Sequence, residues 1–255
     1  MNIDVEEVRS WAVEAGTVAR QYFNHVSARR KADRSWVTEA DETIERMLVE
    51  RIVSRYPNHG IIGEEQTRRD INNEFLWALD PIDGTGSFVN GLPNWGVSIG
   101  LLRDGMPYIG VLYLPLSEEC YWADTPHQAF LNNRPIQVIN PSQWDSEDWI
   151  SVPSDVHRQF QIDFPGKIRA LGSTIATLAY VARGSAVGGL ITRSFIWDVA
   201  AGLAILYAAG GVAIELSGQP LNVLELVDGR ALAAPIIVAA PGQLAGLRGV
   251  MRSRE

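Results

Sequence analysis

Asp80 and Asp83 stand either side of Pro81-Ile82 in the stretch Leu76-Trp77-Ala78-Leu79-Asp80-Pro81-Ile82-Asp83-Gly84-Thr85, directly after an apolar run. Proline holds φ near −65° and lacks an N–H, so a buried strand over Phe75 to Leu79 is expected to end at Pro81 in a rigid turn. Such a turn can present both carboxylates and an intervening carbonyl on one side, a set of hard oxygen donors suited to Mg²⁺ or Mn²⁺. Gly84 and Thr85 then offer backbone N–H groups, and a helix starting there would attract phosphate. The plain alternative is an ordinary turn, with Asp80 as a cap and Asp83 solvated.

Other acids could join that pair. Glu64-Glu65 also ends an apolar run, Gly60-Ile61-Ile62-Gly63. It reads either as a solvated pair or as a cation ligand, Glu64, with a supporting neighbour, Glu65. Asp198 precedes an apolar helix, where a carboxylate caps free N–H groups and can also be aimed out of the helix mouth at a cation. Asp41 has a capping role by its spacing from Thr38, and Lys31 lies in a basic loop. The four histidines, His25, His59, His127 and His157, show no metal-ligand spacing among themselves or with Cys120, and no general-base partner. No P-loop or G-x-G-x-x-G is present, which argues against the common NTPase and dinucleotide sites.

The elements that must position these groups follow from periodicity. Val8, Trp11, Ala12, Ala15, Val18, Ala19, Tyr22 and Phe23 mark an amphipathic helix, and Ala40, Ile44, Met47, Leu48, Ile52 and Tyr56 a second, across a basic, polar break from Ala28 to Arg34. Val97 to Leu101 and Tyr108 to Tyr113, joined by Arg103-Asp104-Gly105, read as an antiparallel hairpin. Periodicity lapses between Pro141 and Pro153, where a seam between subdomains 1–145 (α+β) and 146–255 (α/β) is expected within one catalytic domain, 1–255. Beyond it strand and helix alternate, ending with a helix after Trp197-Asp198 that stops at Gly210-Gly211.

Of 255 residues 46% are hydrophobic, enough to bury a large core, and the net charge of −8 provides no basic footprint for nucleic acid or an anionic membrane. No stretch approaches about 18 uninterrupted apolar residues. The acidic, amphipathic start MNIDVEEVRS is unlike a signal peptide, and the single cysteine suits a reducing compartment, so a cytoplasmic location is expected.

Taken in order, Gly63-Glu64-Glu65, Asp80-Pro81-Ile82-Asp83-Gly84-Thr85 and Trp197-Asp198-Val199-Ala200-Ala201-Gly202 resemble the metal signature of the inositol monophosphatase superfamily, and Lys31 to Asp41 resembles its lysine-to-V-T-x-x-D segment. The likeness runs over most of the chain. It implies a layered αβαβα fold of the α/β (α+β sandwich) class, like fructose-1,6-bisphosphatase. It also implies a Mg²⁺-dependent phosphatase with two to three ions, often dimeric and often inhibited by Li⁺. By position Glu64, Asp80 and the Ile82 carbonyl would hold one ion, Asp80, Asp83 and Asp198 a second, and Glu64 would reach a third. Asp41 and Thr85 would orient or deprotonate the attacking water, and Glu65 would support the ligands. The amides of Gly84 and Thr85 would receive the phosphate, with Ser173 and Thr174 lining the substrate pocket beside Asp83 and Asp198.

The chain departs from the family at Ile191, where the inositol phosphatases carry a glutamate that contacts ring hydroxyls. The expected reaction is therefore hydrolysis of a small phosphate monoester, inositol phosphate or another sugar or polyol phosphate, by water activated at bound metal. Histidinol phosphate and fructose 1,6-bisphosphate are alternatives within the family, 3′-phosphonucleotides a weaker one. A rival of another class is a metal- or phosphate-binding protein without turnover. A third reading makes every acid a cap or a surface charge.

Overall fold

The computed structural model describes residues 3–25, 27–32, 34–125 and 128–254; Asp33 of the basic break and His127 lie outside the described residues. The first amphipathic stretch is α1 (Val5–Tyr22), started by Asp4, whose carboxylate accepts the Glu6 N–H at 3.1 Å. The basic break that follows is not irregular: β1 (Ala28–Arg30) and β2 (Trp36–Thr38) form an antiparallel hairpin. Three-residue strands leave no alternation to read, and a cross-strand contact closes this pair, the Arg30 guanidinium 3.6 Å from the Trp36 ring centre. Next come α2 (Glu39–Arg55), β3 (Gly60–Gly63), β4 (Arg68–Arg69), β5 (Phe75–Asp83) and a five-residue helix, α3 (Thr85–Val89). A meander completes this half: β6 (Gly96–Arg103), β7 (Met106–Leu114), β8 (Glu119–Thr125), β9 (Gln128–Leu131) and β10 (Arg134–Ile136). These strands make an eight-stranded sheet in the order β10-β9-β8-β7-β6-β5-β3-β4, antiparallel except for β3 beside β5.

The second half contributes β11 (Trp149–Val152), α4 (Val156–Gln159), β12 (Phe160–Ile162), β13 (Lys167–Ala170), α5 (Thr174–Ala182), β14 (Gly188–Ile191) and α6 (Ile196–Ala208). β15 (Val212–Glu215), β16 (Ile236–Ala239), α7 (Leu244–Val250) and β17 (Met251–Ser253) follow. A five-stranded mixed sheet, β13-β11-β14-β16-β15, results. Between Ile136, the end of β10, and Trp149, the start of β11, no strand occurs among the described residues, so β11 takes up part of the stretch expected to be irregular.

Side-chain alternation assigns the layers. On β5, Trp77 and Leu79 join Trp11 of α1 and Ile44 of α2, whereas Leu76 and Ala78 join Val199 and Leu203 of α6. On β16, Ile236 and Val238 face that same α5–α6 layer, and Ile237 and Ala239 join Leu247 of α7. Helix, sheet, helix, sheet, helix is therefore the order of layers, the αβαβα arrangement expected. Strands buried on both faces read as unbroken apolar runs, which is why Leu76 to Leu79 shows no polar alternation. Among the described residues no helix is long and apolar enough to cross a membrane.

α6 lies unusually close to the large sheet. Gly100 of β6 and Gly110 of β7 are paired across the ladder, and a Cβ at either would fall 2.7 Å from the Ala201 nitrogen or 2.1 Å from the Ala201 oxygen. Backbone thus rests on backbone, and the Ser98 hydroxyl donates to the Trp197 carbonyl at 3.1 Å beside it. Gly110→Ala is expected to lower the urea midpoint by the equivalent of about 1–3 kcal/mol through overpacking. Gly249→Ala, with nothing within 4 Å of its added carbon, serves as the control that keeps the parent midpoint or better. Equal midpoints for the two variants would refute this account of the helix seat.

Candidate functional site

β5 does not leave the sheet at Pro81, as the proline suggests, but runs on to Asp83. Its ladder with β6 slips between the pairs Asp80–Ser98 and Asp83–Gly96, so β5 spends one more residue than its partner there. Pro81 falls inside this bulge, where a missing N–H breaks no ladder bond. The bulge has a consequence for direction. Asp80 keeps the parity of Leu76 and Ala78, towards α6, while Ile82 joins the opposite core with α1 and α2. The Asp80 Oδ1 accepts the Ile82 N–H at 3.0 Å, the Thr85 hydroxyl donates to the Ile82 carbonyl at 3.0 Å, and Gly84 takes φ 82°, a left-handed turn natural to glycine.

Two helix starts complete the acid group. Asp83 accepts from the Thr174 N–H and the Ile175 N–H, each at 3.3 Å, and from the hydroxyl of Ser173, the N-cap of α5. Asp198 is not ahead of its helix as the sequence suggests. It is the third residue of α6, and reaches back to accept the Phe195 N–H at 2.8 Å. One carboxylate oxygen from each of Asp80, Asp83 and Asp198 lies within 4.8 Å of the others, so this cluster could bind metal.

The remaining acids form a flank. Glu64, outside that group, and Glu65 both accept from the Lys31 ammonium, at 2.8 and 2.6 Å. Their turn is set by a residue that sequence reasoning missed, Glu45, whose buried carboxylate accepts the Glu65 N–H at 2.7 Å and the Thr67 N–H at 3.0 Å. Arg68 was missed as well. It donates to the Gly63 carbonyl and stacks 4.9 Å from the Trp197 ring, joining β3 to the start of α6. The only available signal was helical spacing, which puts Glu45 one turn after Asp41 on α2. Asp41 is buried; its Oδ2 accepts from the Thr38 N–H at 2.8 Å and the Thr38 hydroxyl, while its Oδ1 has no partner among the described residues. His59 accepts the Trp77 indole N–H at 3.1 Å between the rings of Tyr56 and Phe75, a packing role.

Crowding of acids shows in their protonation. Burial, then Glu64, Asp83 and Asp198, hold the Asp80 carboxyl well above the usual range, and burial with Asp83 and Glu64 does the same to Asp198. Burial pushes Asp83 up to about 7 against the Ser173 and α5 donors that lower it. Glu65 rises to about 7 and Asp41 to about 6, again chiefly by burial. Lys31 answers this field: burial pulls its ammonium down, but Glu64 and Glu65 outweigh it and hold it above its ordinary value.

Beside the cluster opens a cavity of about 490 Å³, lined by Asp83, Gly84, Ser173 and Thr174 of the expected substrate residues, and by Ile191. Arg34 and Arg193, not anticipated as site residues, line it too. Thr85 does not line it and turns its hydroxyl to Ile82 instead.

These features have counterparts in known proteins. Residues 4–250 match the model of the inositol monophosphatase family. A fructose-1,6-bisphosphatase/inositol-1-monophosphatase of Aquifex aeolicus is 31% identical, covering 88% of this chain and 90% of its own. A histidinol-phosphatase of Chlorobaculum parvum is also 31% identical, over 91% of this chain and 92% of its own. Among solved structures, an IMPase of Thermotoga maritima superposes with a TM-score of 0.84 at 27% identity, covering 96% of this chain and 95% of that one. With its whole length, layered fold and acidic cluster in agreement, the chain belongs to the inositol monophosphatase family and is a phosphatase of phosphate monoesters.

Proposed function

We propose that this phosphatase is Mg²⁺-dependent and hydrolyses a small sugar, polyol or similar phosphate monoester by direct attack of water, without a covalent phosphoenzyme. The observation that supports this most is the convergence of Asp80, Asp83 and Asp198 within 4.8 Å, three carboxylates from a strand end and a helix start that a divalent cation would neutralise together. Glu64, Asp80 and the Ile82 carbonyl would hold one ion and Asp80, Asp83 and Asp198 another; oxygen donors alone suit Mg²⁺, with Mn²⁺ as a substitute. Such ions supply Lewis acidity, lowering the pKa of bound water and screening the phosphate charge.

The chain's own groups do the rest. Asp41 offers the unpartnered Oδ1 as a proton acceptor, while Thr38 fixes Oδ2. Its pKa of about 6 keeps it basic at neutral pH without making it too weak a base. Thr85, its hydroxyl donating a hydrogen bond to the Ile82 carbonyl, keeps its oxygen lone pairs for a water. Glu65 shares Lys31 with Glu64 and so restrains a ligand rather than acting as one. Gly84, Ser173 and Thr174 would meet the phosphate on the cavity side. Action in the cytoplasm, as a homodimer, and inhibition by Li⁺ belong to the same proposal; sedimentation and Li⁺ titration test the last two.

Phosphate release with Mg²⁺ is expected to fall roughly a hundredfold or more in Asp80→Asn and Asp198→Asn, the scale of losing a metal's transition-state stabilisation. Asp41→Asn is expected to lower kcat while leaving Mg²⁺ binding, followed by calorimetry, near the parent value. No turnover by the parent on any monoester would sink the catalytic reading, and turnover surviving both metal-ligand substitutions would sink this assignment of the site.

Proton linkage provides a second test. Asp83 has a folded-state pKa raised from 3.8 to about 7, so its contribution to stability is present below the lower value and lost as pH rises through the upper. In chelator the thermal midpoint is therefore expected to drop between about pH 4 and pH 7. Added Mg²⁺, binding only the ionised acids, is expected to raise the midpoint more at pH 8 than at pH 5. A flat midpoint in chelator, or equal Mg²⁺ shifts at both pH values, would contradict the clustering of buried acids.

A further inference from the structure

Resting on the phosphatase reading above, we infer that Arg34 and Arg193 form a second anion-binding subsite, and that the substrate is a phosphate monoester carrying a further phosphate or carboxylate group. Both residues line the cavity that Asp83, Gly84, Ser173 and Thr174 also line. Neither guanidinium has a hydrogen bond or an ion pair among the described residues, whereas Arg51, Arg55, Arg103, Arg183 and Arg230 are each held by a carboxylate. Among the described residues the cavity's one other carboxylate besides Asp83 is Asp155, and it pairs with neither arginine.

Each arginine rides on a loop tied to the acid cluster. Arg34 turns the β1–β2 hairpin, its N–H donating to the Lys31 carbonyl at 2.9 Å, and Lys31 is the residue that grips Glu64 and Glu65. Arg193 sits next to Ser194, whose hydroxyl lies 3.4 Å from that of Thr174, the residue that donates its N–H to Asp83. Both arginines have left-handed backbone, φ 73° and 44°, a region that side chains other than glycine rarely occupy.

Leu190, Ile191, Val152 and Phe195 give the cavity apolar walls, Ser35, Ser154, Thr174, Thr177 and Thr192 give it neutral hydroxyls, and among the described residues Arg34 and Arg193 are its only cationic side chains. Two planar guanidinium forks offer paired donors to phosphate or carboxylate oxygens. A volume of about 490 Å³ holds a small sugar phosphate with a second charged group.

Four probes separate the outcomes: p-nitrophenyl phosphate, inositol 1-phosphate, fructose 1,6-bisphosphate and 3-phosphoglycerate, the last two distinguishing a phosphate from a carboxylate as the second anion. The parent is expected to favour one of the doubly anionic probes in kcat/KM. Arg193→Gln and Arg34→Gln are each expected to raise KM for that probe about tenfold, the scale of a charge-assisted hydrogen bond at a partly open site, with kcat little changed. Hydrolysis of p-nitrophenyl phosphate should stay at the parent level. Equal losses on all four probes, no loss on the doubly anionic ones, or a parent that prefers inositol 1-phosphate would overturn the subsite. A parent inactive on all four would refute the phosphatase reading instead. Calorimetric binding of fructose 1,6-bisphosphate and 3-phosphoglycerate then judges the subsite by itself, equal affinity of parent and both variants for each overturning it.

Discussion

The centre of this fold is built around acidic groups held together out of bulk water, where burial and one another's proximity oppose their ionisation. Asp80, Asp83 and Asp198 would separate if their backbones allowed it, and each is prevented by a main-chain N–H: from Ile82, from Thr174 and Ile175, and from Phe195. Those donors come from the β5 bulge and from the starts of α5 and α6, where N–H groups are left without helical partners. The acids therefore satisfy a structural need of the helices while being forced near one another. The apolar core on both faces of β5 offsets the electrostatic cost of that arrangement.

The site divides into two kinds of structure. The acids and their N–H donors belong to β5, α5 and α6, in the centre of the layers. The cavity wall carrying Arg34 and Arg193 belongs to a hairpin turn and to the loop before α6. The acids thus lie on the part with least freedom, and the wall beside them on loops whose sequence can change without moving the acids. Lys31 links the two, being on the hairpin yet bonded to Glu64 and Glu65.

Much of this was legible in the sequence because the residues concerned have strong local preferences. Asp-Pro-Ile-Asp-Gly-Thr after an apolar run announced acids at a strand end, and Thr38 with Asp41 announced a helix start. Periodicity marked α1, α2 and the β6–β7 hairpin for the same reason. The β5 bulge was not legible: proline predicts a break, and only pairing with β6 turns that break into one extra residue within a continuing strand. Glu45 and Arg68 were invisible because their roles depend on Thr67, Glu65 and Trp197 arriving from elsewhere. Three-residue strands such as β1 and β2 carry too little pattern to be read, and with them went Arg34. Asp198 was recognised as a helix-start acid but put one turn too early, since Phe195, a poor cap by type, takes the N-cap position.

The paired glycines under α6 set a length scale for the whole molecule. With Gly100 and Gly110 bare, the separation of helix and sheet is the contact distance of main-chain atoms, not the size of any side chain. Asp80 at the end of one layer and Asp198 at the start of the next are thus spaced by a quantity common to all polypeptides. Repacking of the surrounding leucines and valines can alter how firmly the layers are held. The main-chain spacing that sets β5 and the start of α6 against each other is left as it was.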